Sequence, residues 1–189
     1  MYKYKSILGI DKRHAIVVPY NPAWADAATE IVDRVQTVVK KHDVRVHHVG
    51  STAIKIPAKP VIDIAIGSHE FDTDERTAIM KTMHANGIFD PNDFHFDNPT
   101  HGRIYDPETV DTDNEVFYAN VHVYKETGVN MRQLLDFKRY MLEHPDAANE
   151  YVAIKTNALA ASNGVLSAYT REKAAFVSNI NVLADELYN

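Results

Sequence analysis

A chain of 189 residues is long enough to bury a real core as one domain, or as one domain with an appended helical segment, and too short for two full domains. With 45% hydrophobic and 24% charged residues it is neither a disordered nor a fibrous chain, and its formal charge of -6 argues against strong binding to nucleic acid, whose phosphates are held by Lys and Arg. The lack of Cys excludes a disulfide framework, a zinc ribbon and a thiol nucleophile, and the 10 His show no metal-ligand spacing.

The N-terminus carries no leader pattern and no run approaches about 18 apolar residues, so a cytoplasmic protein with no membrane partner is expected. The β-branched run 15–20, ended by Pro19, reads as an edge strand. A helix then starts with Asn21 as cap and Pro22 in its first turn. It buries Trp24, Ala28, Ile31, Val35 and Val38 and runs to about Lys41. Residues 44–50 read as a strand entering a turn, and 60–67 as a nearly all-apolar strand interrupted by Asp63. A helix over 74–86 buries Ile79, Met80 and Met83 and stops at Gly87.

Residues 88–102 read as a polar loop, followed by strands at 102–106 and 115–124 that pair as a hairpin across a turn at Asp111 and Asp113. In the second strand, alternation puts Asn120 and His122 on one face with Tyr118. From Asn130 the pattern is helical only. One helix carries Leu134, Phe137, Tyr140 and Met141, and a second starts at Pro145 and breaks at Ser162, Asn163 and Gly164. A last helix carries one apolar stripe from Leu166 to Leu187. An α/β core over 1–127 with a helical segment, 128–189, packed on it as one structural unit is the expected organisation.

Two features carry chemistry. Gly50-Ser51-Thr52, placed directly after a strand, can bring backbone N–H groups and hydroxyls close to an anion. Asp63 sits mid-strand among apolar residues, where a carboxylate is costly unless it is paired, with Lys59 for example, or binds a metal. Lys59 and Arg103 suit phosphate, Lys as a point charge and Arg through its fork, or are solvated charges. His122 either ligates a metal or relays a proton, or is a half-buried His bonded to backbone. His48 is expected to point toward the turn. Lys155 and the basic residues of the 137–140 stretch either add a basic rim to the site or, as helix composition favours, are exposed helix faces.

The run VHHVGSTAIKIPAKPVIDIAIG, preceded by VVPYNPAW and followed by NVHVY and LLDFKRYMLEHPDAANEYVAIK, resembles the GrpB family of nucleotidyltransferase-like proteins over roughly residues 15–180. The resemblance implies a nucleotidyltransferase-like mixed sheet with flanking helices and a helical C-terminal layer. It also implies a nucleoside triphosphate held by Gly50, Ser51 and Thr52, and Mg2+ or Mn2+ on Asp63 with help from His122. His48 and Lys59 fall in the matching family segment. Against the superfamily pattern of two acids at alternate positions, position 65 is Ala65. Three readings follow: a metal-dependent nucleotidyltransferase, a non-catalytic module for a nucleotide or another phosphorylated small molecule, and a ligand-free accessory domain of the kind fused to a coenzyme A biosynthetic kinase.

Overall fold

The computed structural model describes residues 3–88, 101–109 and 115–189. Most of the expected loop at 88–102, and the turn at Asp111 and Asp113, lie outside them, while His101 and Gly102 belong to a strand rather than to that loop.

The elements run β1 (Ile10–Asp11), α1 (Ala23–Val38), β2 (Val44–Val49), α2 (Gly50–Ala53), β3 (Ile62–Ser68), α3 (Thr73–Ala85), β4 (His101–Tyr105), β5 (Val116–Lys125), α4 (Val129–Glu143), α5 (Pro145–Ala161), α6 (Leu166–Glu172) and α7 (Ala174–Tyr188). This is the expected α/β class. A mixed five-stranded sheet has the order β1-β5-β3-β2, with β4 also on β5. β3 and β5 are parallel, and the other pairs are antiparallel.

The two faces of the sheet differ in chemistry because strand side chains alternate. On one face Ile62, Ile64 and Ile66 of β3 and Val121 and Val123 of β5 pack against Ile31 and Val35 of α1 and Ile79 and Met83 of α3. Each such aliphatic side chain contributes about 1.5–3 kcal/mol when fully buried. The other face carries Asp63, and the C-terminal helices lie over it: Met131 of α4 joins Val49 and Ala65 in a small apolar cluster. Ile54 and Ile56, just after α2, pack with Phe137, Met141, Tyr151 and Ile180 from α4, α5 and α7. Helices on both faces explain why β3 reads as a continuous apolar run.

Local signals set the helix ends. The Asn21 side chain accepts the N–H of Ala23 at 3.0 Å at the start of α1. Asp72 accepts from the N–H of Glu75 at 2.7 Å at the start of α3, and Gly87 beyond that helix has φ +67.

Four expectations are corrected. Residues 15–20 form no strand of the sheet: His14 and Val18 make isolated bridges to Val165 and Ala58, because β1 occupies the position beside the start of β5. α1 ends at Val38 rather than about Lys41, with Val38 packed partly buried against the core and Val39 just beyond it fully buried. The last helix is two, with the break at Lys173, so Tyr169 is buried while Leu183 and Leu187 are exposed. Finally, Tyr118 joins the core with Ala119 instead of facing the same way as Asn120. A β-bulge between β4 and β5, where Ile104 pairs Ala119 but Tyr105 pairs Phe117, leaves one extra residue and breaks the alternation there.

Candidate functional site

Strand register assembles the site row by row, since side chains opposite each other across a ladder share a face. Val49 pairs Asp63, Asp63 pairs Asn120, and Asn120 pairs Arg103, so these four span β2, β3, β5 and β4. The next row is His47, Ala65, His122 and His101.

The bend after β2 is fitted to the acid. Gly50 has φ +72, a conformation that side-chain-bearing residues rarely adopt. A Cβ at this position would lie 2.3 Å from Asp63 Oδ2. The carboxylate therefore rests on the glycine, and its other oxygen, Oδ1, accepts a 2.8 Å hydrogen bond from Asn120 Nδ2. Asp63 and Ser51 of the bend thus border the same cleft, which has a volume of about 1140 Å³, while Gly50 supports the acid without lining it.

That cleft is strongly basic. Lys12, Arg13, Lys59, Arg103 and Lys173 line it, and Asp63 is the one carboxylate among its described lining residues. Lys12 is engaged with Glu115 and Arg13 with Asp11. Arg103 lies over the Phe117 ring at 4.5 Å. Neither Lys59 nor Lys173 makes an ion pair among the described residues. Burial holds Lys59 down at about 8 despite the opposing pull of Asp63, and it lowers Lys173 as well.

The histidines divide. His122 lines the cleft, its Nδ1 is buried without a hydrogen-bond partner, and the His101 ring meets it edge-on at 4.8 Å. Burial keeps His122 neutral, at about 4, against the influence of Asp63. His48 and Thr52 do not line the cleft. They bond each other at 2.9 Å and brace the bend from behind, and Lys138 donates to the carbonyl of His48 at 2.9 Å. Burial, and then the Lys138 charge, lower His48 to about 4.

Two lysines of the helical layer complete the site. Lys155, read from the sequence as exposed, is 1% exposed: its Nζ reaches Ser51 Oγ at 3.5 Å, donates to the carbonyl of Pro57, and lies 4.7 Å from the Tyr151 ring. Lys173, which no sequence motif points to, sits at the break between α6 and α7 and lies 5.0 Å from the Tyr169 ring. A signal did exist. Each lysine follows a buried tyrosine by four residues, which puts Lys155 on the buried stripe of α5 and Lys173 just past the end of α6 below Tyr169.

Among the described residues the donor set falls short of the several carboxylates that the pair of divalent ions used in nucleotidyl transfer needs. Among the described residues no three His, Asp or Glu side chains come together, and the lone acid is already bonded to Asn120 and faced by lysines. Charge here suits an anion.

The described residues contain no helix long and apolar enough to cross a membrane. The GrpB protein family model matches residues 14–182. Relatives include the UPF0157 protein YqkA of Bacillus subtilis (strain 168), 27% identical over 167 residues that make up 88% of this chain and 46% of that protein. A dephospho-CoA kinase of Mycobacterium tuberculosis (strain ATCC 25618 / H37Rv) is 24% identical over 180 residues, 87% of this chain and 44% of the kinase. The chain therefore spans less than half the length of these curated relatives. The crystal structure of the conserved protein GrpB from Enterococcus faecalis has the same fold, with a TM-score of 0.73 at 23% identity over 92% of this chain and 99% of that one. From the family match over most of its length, and from the shared fold, this chain belongs to the GrpB family and has its nucleotidyltransferase-like fold.

Proposed function

We propose that the cleft binds a phosphorylated small molecule, a nucleotide being the class the fold favours, with Lys59, Arg103 and Lys173 on the phosphates and Ser51 beside them. The observation that carries this reading is the concentration of cations around one acid in a chain whose formal charge is -6. Burial lowers both lysines from their usual range, and an anion beside them would oppose that shift and favour their charged forms. A binding module is favoured over a metal-dependent transferase by Ala65, which removes the second acid, and by the bond that occupies Asp63. Any transfer at this site would rest on positioning and on the lysine and arginine charges.

Calorimetric titration with ATP and with inorganic tripolyphosphate, with and without Mg2+, tests the reading. Binding is expected without Mg2+, and Lys173→Met is expected to weaken it about tenfold, or about 1.4 kcal/mol. Asp63→Asn removes a negative charge from the cleft and should preserve or tighten binding of the anion. If affinity requires Mg2+ and vanishes in Asp63→Asn, the acid is a metal ligand and the proposal fails. Pyrophosphate release would distinguish an enzyme from a binder.

A further inference from the structure

We infer that a second, smaller cavity adjoining the cleft at Ser51 and Asp63 seats the nucleobase of the molecule whose phosphates occupy the basic cleft, with Asn181 of α7 as its reader. This rests on the phosphate-binding reading above. The two cavities share Ser51, Asp63, His122 and Lys173, so a single elongated ligand can lie across that common wall.

Their chemistry is otherwise different. The second cavity measures about 290 Å³, near the low end, about 300 Å³, of small-molecule sites. Among the described residues Lys173 is its one cation, and beyond the shared Ser51, Asp63 and His122 the wall is aromatic, aliphatic, amide and backbone. Phe137 and Tyr151 supply ring surface, Leu134 and Val177 supply aliphatic surface, and the exposed amides Asn130 and Gln133 lie toward solvent. Such a wall suits a flat, uncharged, hydrogen-bonding group and gives a triphosphate little to hold.

Two buried atoms at this cavity lack partners. Asn181 Oδ1 and His122 Nδ1 make no hydrogen bond, and both residues line it. Unmade bonds of this kind are costly, and native structures keep them where something else completes them. Asn181 Oδ1 asks for an N–H or O–H donor, and neutral His122 can exchange a hydrogen bond of either sense, depending on its tautomer. The hydrogen-bonding edge of a nucleobase offers donors and acceptors side by side. C-terminal helices thereby supply both the phosphate-facing lysine and the base-facing amide.

Titration of the full chain with ATP, CTP, GTP and UTP, set against base-free tripolyphosphate, tests the inference. At least one nucleotide is expected to bind at least tenfold more tightly than tripolyphosphate. Asn181→Leu should erase that advantage and leave tripolyphosphate affinity unchanged. Asn181→Asp, which keeps the acceptor, should retain preference for the same base. Equal affinity for all nucleotides and tripolyphosphate in the natural chain would overturn the base pocket and leave the phosphate site standing. So would an advantage that survives Asn181→Leu. If neither tripolyphosphate nor any nucleotide binds, both readings fall together.

Discussion

Gly50→Ala is expected to destabilise the fold by about 2.5–5 kcal/mol, measured by urea denaturation. Two separable terms add. An alanine forced into the left-handed conformation at φ +72 costs about 1–2 kcal/mol. The new Cβ would also stand 2.3 Å from Asp63 Oδ2 and 2.9 Å from Asp63 Cβ and Cγ. Asp63 must then move, and the 2.8 Å bond from Asn120 is lost. A hydrogen bond to a charged group contributes about 1.5–3 kcal/mol. Gly87 supplies the control, because it has φ +67 with nothing within 4 Å of its absent Cβ. Gly87→Ala should show the backbone term alone, about 1–2 kcal/mol. In a double-mutant cycle, Gly50→Ala in an Asp63→Gly background should cost no more than Gly87→Ala does. Equal cost of Gly50→Ala with and without the aspartate would show that the two residues do not press on each other.

The elements that position the acid were legible because they are local. Asn21, Gly87 and Pro145 punctuate helices where the sequence predicts, and the single acid in an apolar run marks β3. The pairing of Val49 with Asp63, which sets Gly50 against the carboxylate, is anticipated by one short connection between two strands. What stayed hidden depends on contacts between distant segments. The run 15–20 has strand composition, but the sheet position it would fill is taken by β1, two residues long. Tyr118 obeys alternation in sequence and escapes it through a bulge that exists only once β4 is paired. Lys155 and Lys173 are charged residues in or beside helices, so composition assigns them to solvent. Ser51 and the carbonyl of Pro57, the partners of Lys155, lie more than 90 residues away along the chain, as do the Ser51, Lys59 and Asp63 that line the cleft with Lys173. His48, by contrast, keeps its place beside the bend but spends its ring on Thr52, so proximity in sequence overstated its share in the cleft.

The stability of the ligand-free protein should rise between pH 7 and pH 9.5, and Lys155→Met should remove on the order of 2–4 kcal/mol of that rise. Burial, and secondarily the charge of Lys173, hold the Lys155 amine at about 7, below its usual value of 10.5. In the unfolded chain the amine keeps its ordinary affinity for protons. Above about pH 7 the unfolded state therefore binds a proton that the folded state has released. Stability must then increase with pH until the unfolded amine also titrates. Lys59, held at about 8, adds a smaller contribution of the same sign. His48 and His122, both at about 4, complete their corresponding rise below pH 7. Tyr151 acts oppositely: burial raises its phenol to about 12, which removes stability only above pH 10. The window between pH 7 and pH 9.5 is thus governed by the lysines, and urea denaturation across it isolates them. At pH 6.5, where the natural chain buries a charged amine, Lys155→Met should be closest to it in stability or above it. At pH 9.5 the variant should fall below, because the carbonyl of Pro57 and Ser51 Oγ lose their donor without any relief of charge. Parallel pH profiles for the two proteins would mean that Lys155 keeps its proton throughout. In that case the amine would be a permanent cation behind Ser51, and the fold would have to meet the full cost of burying it.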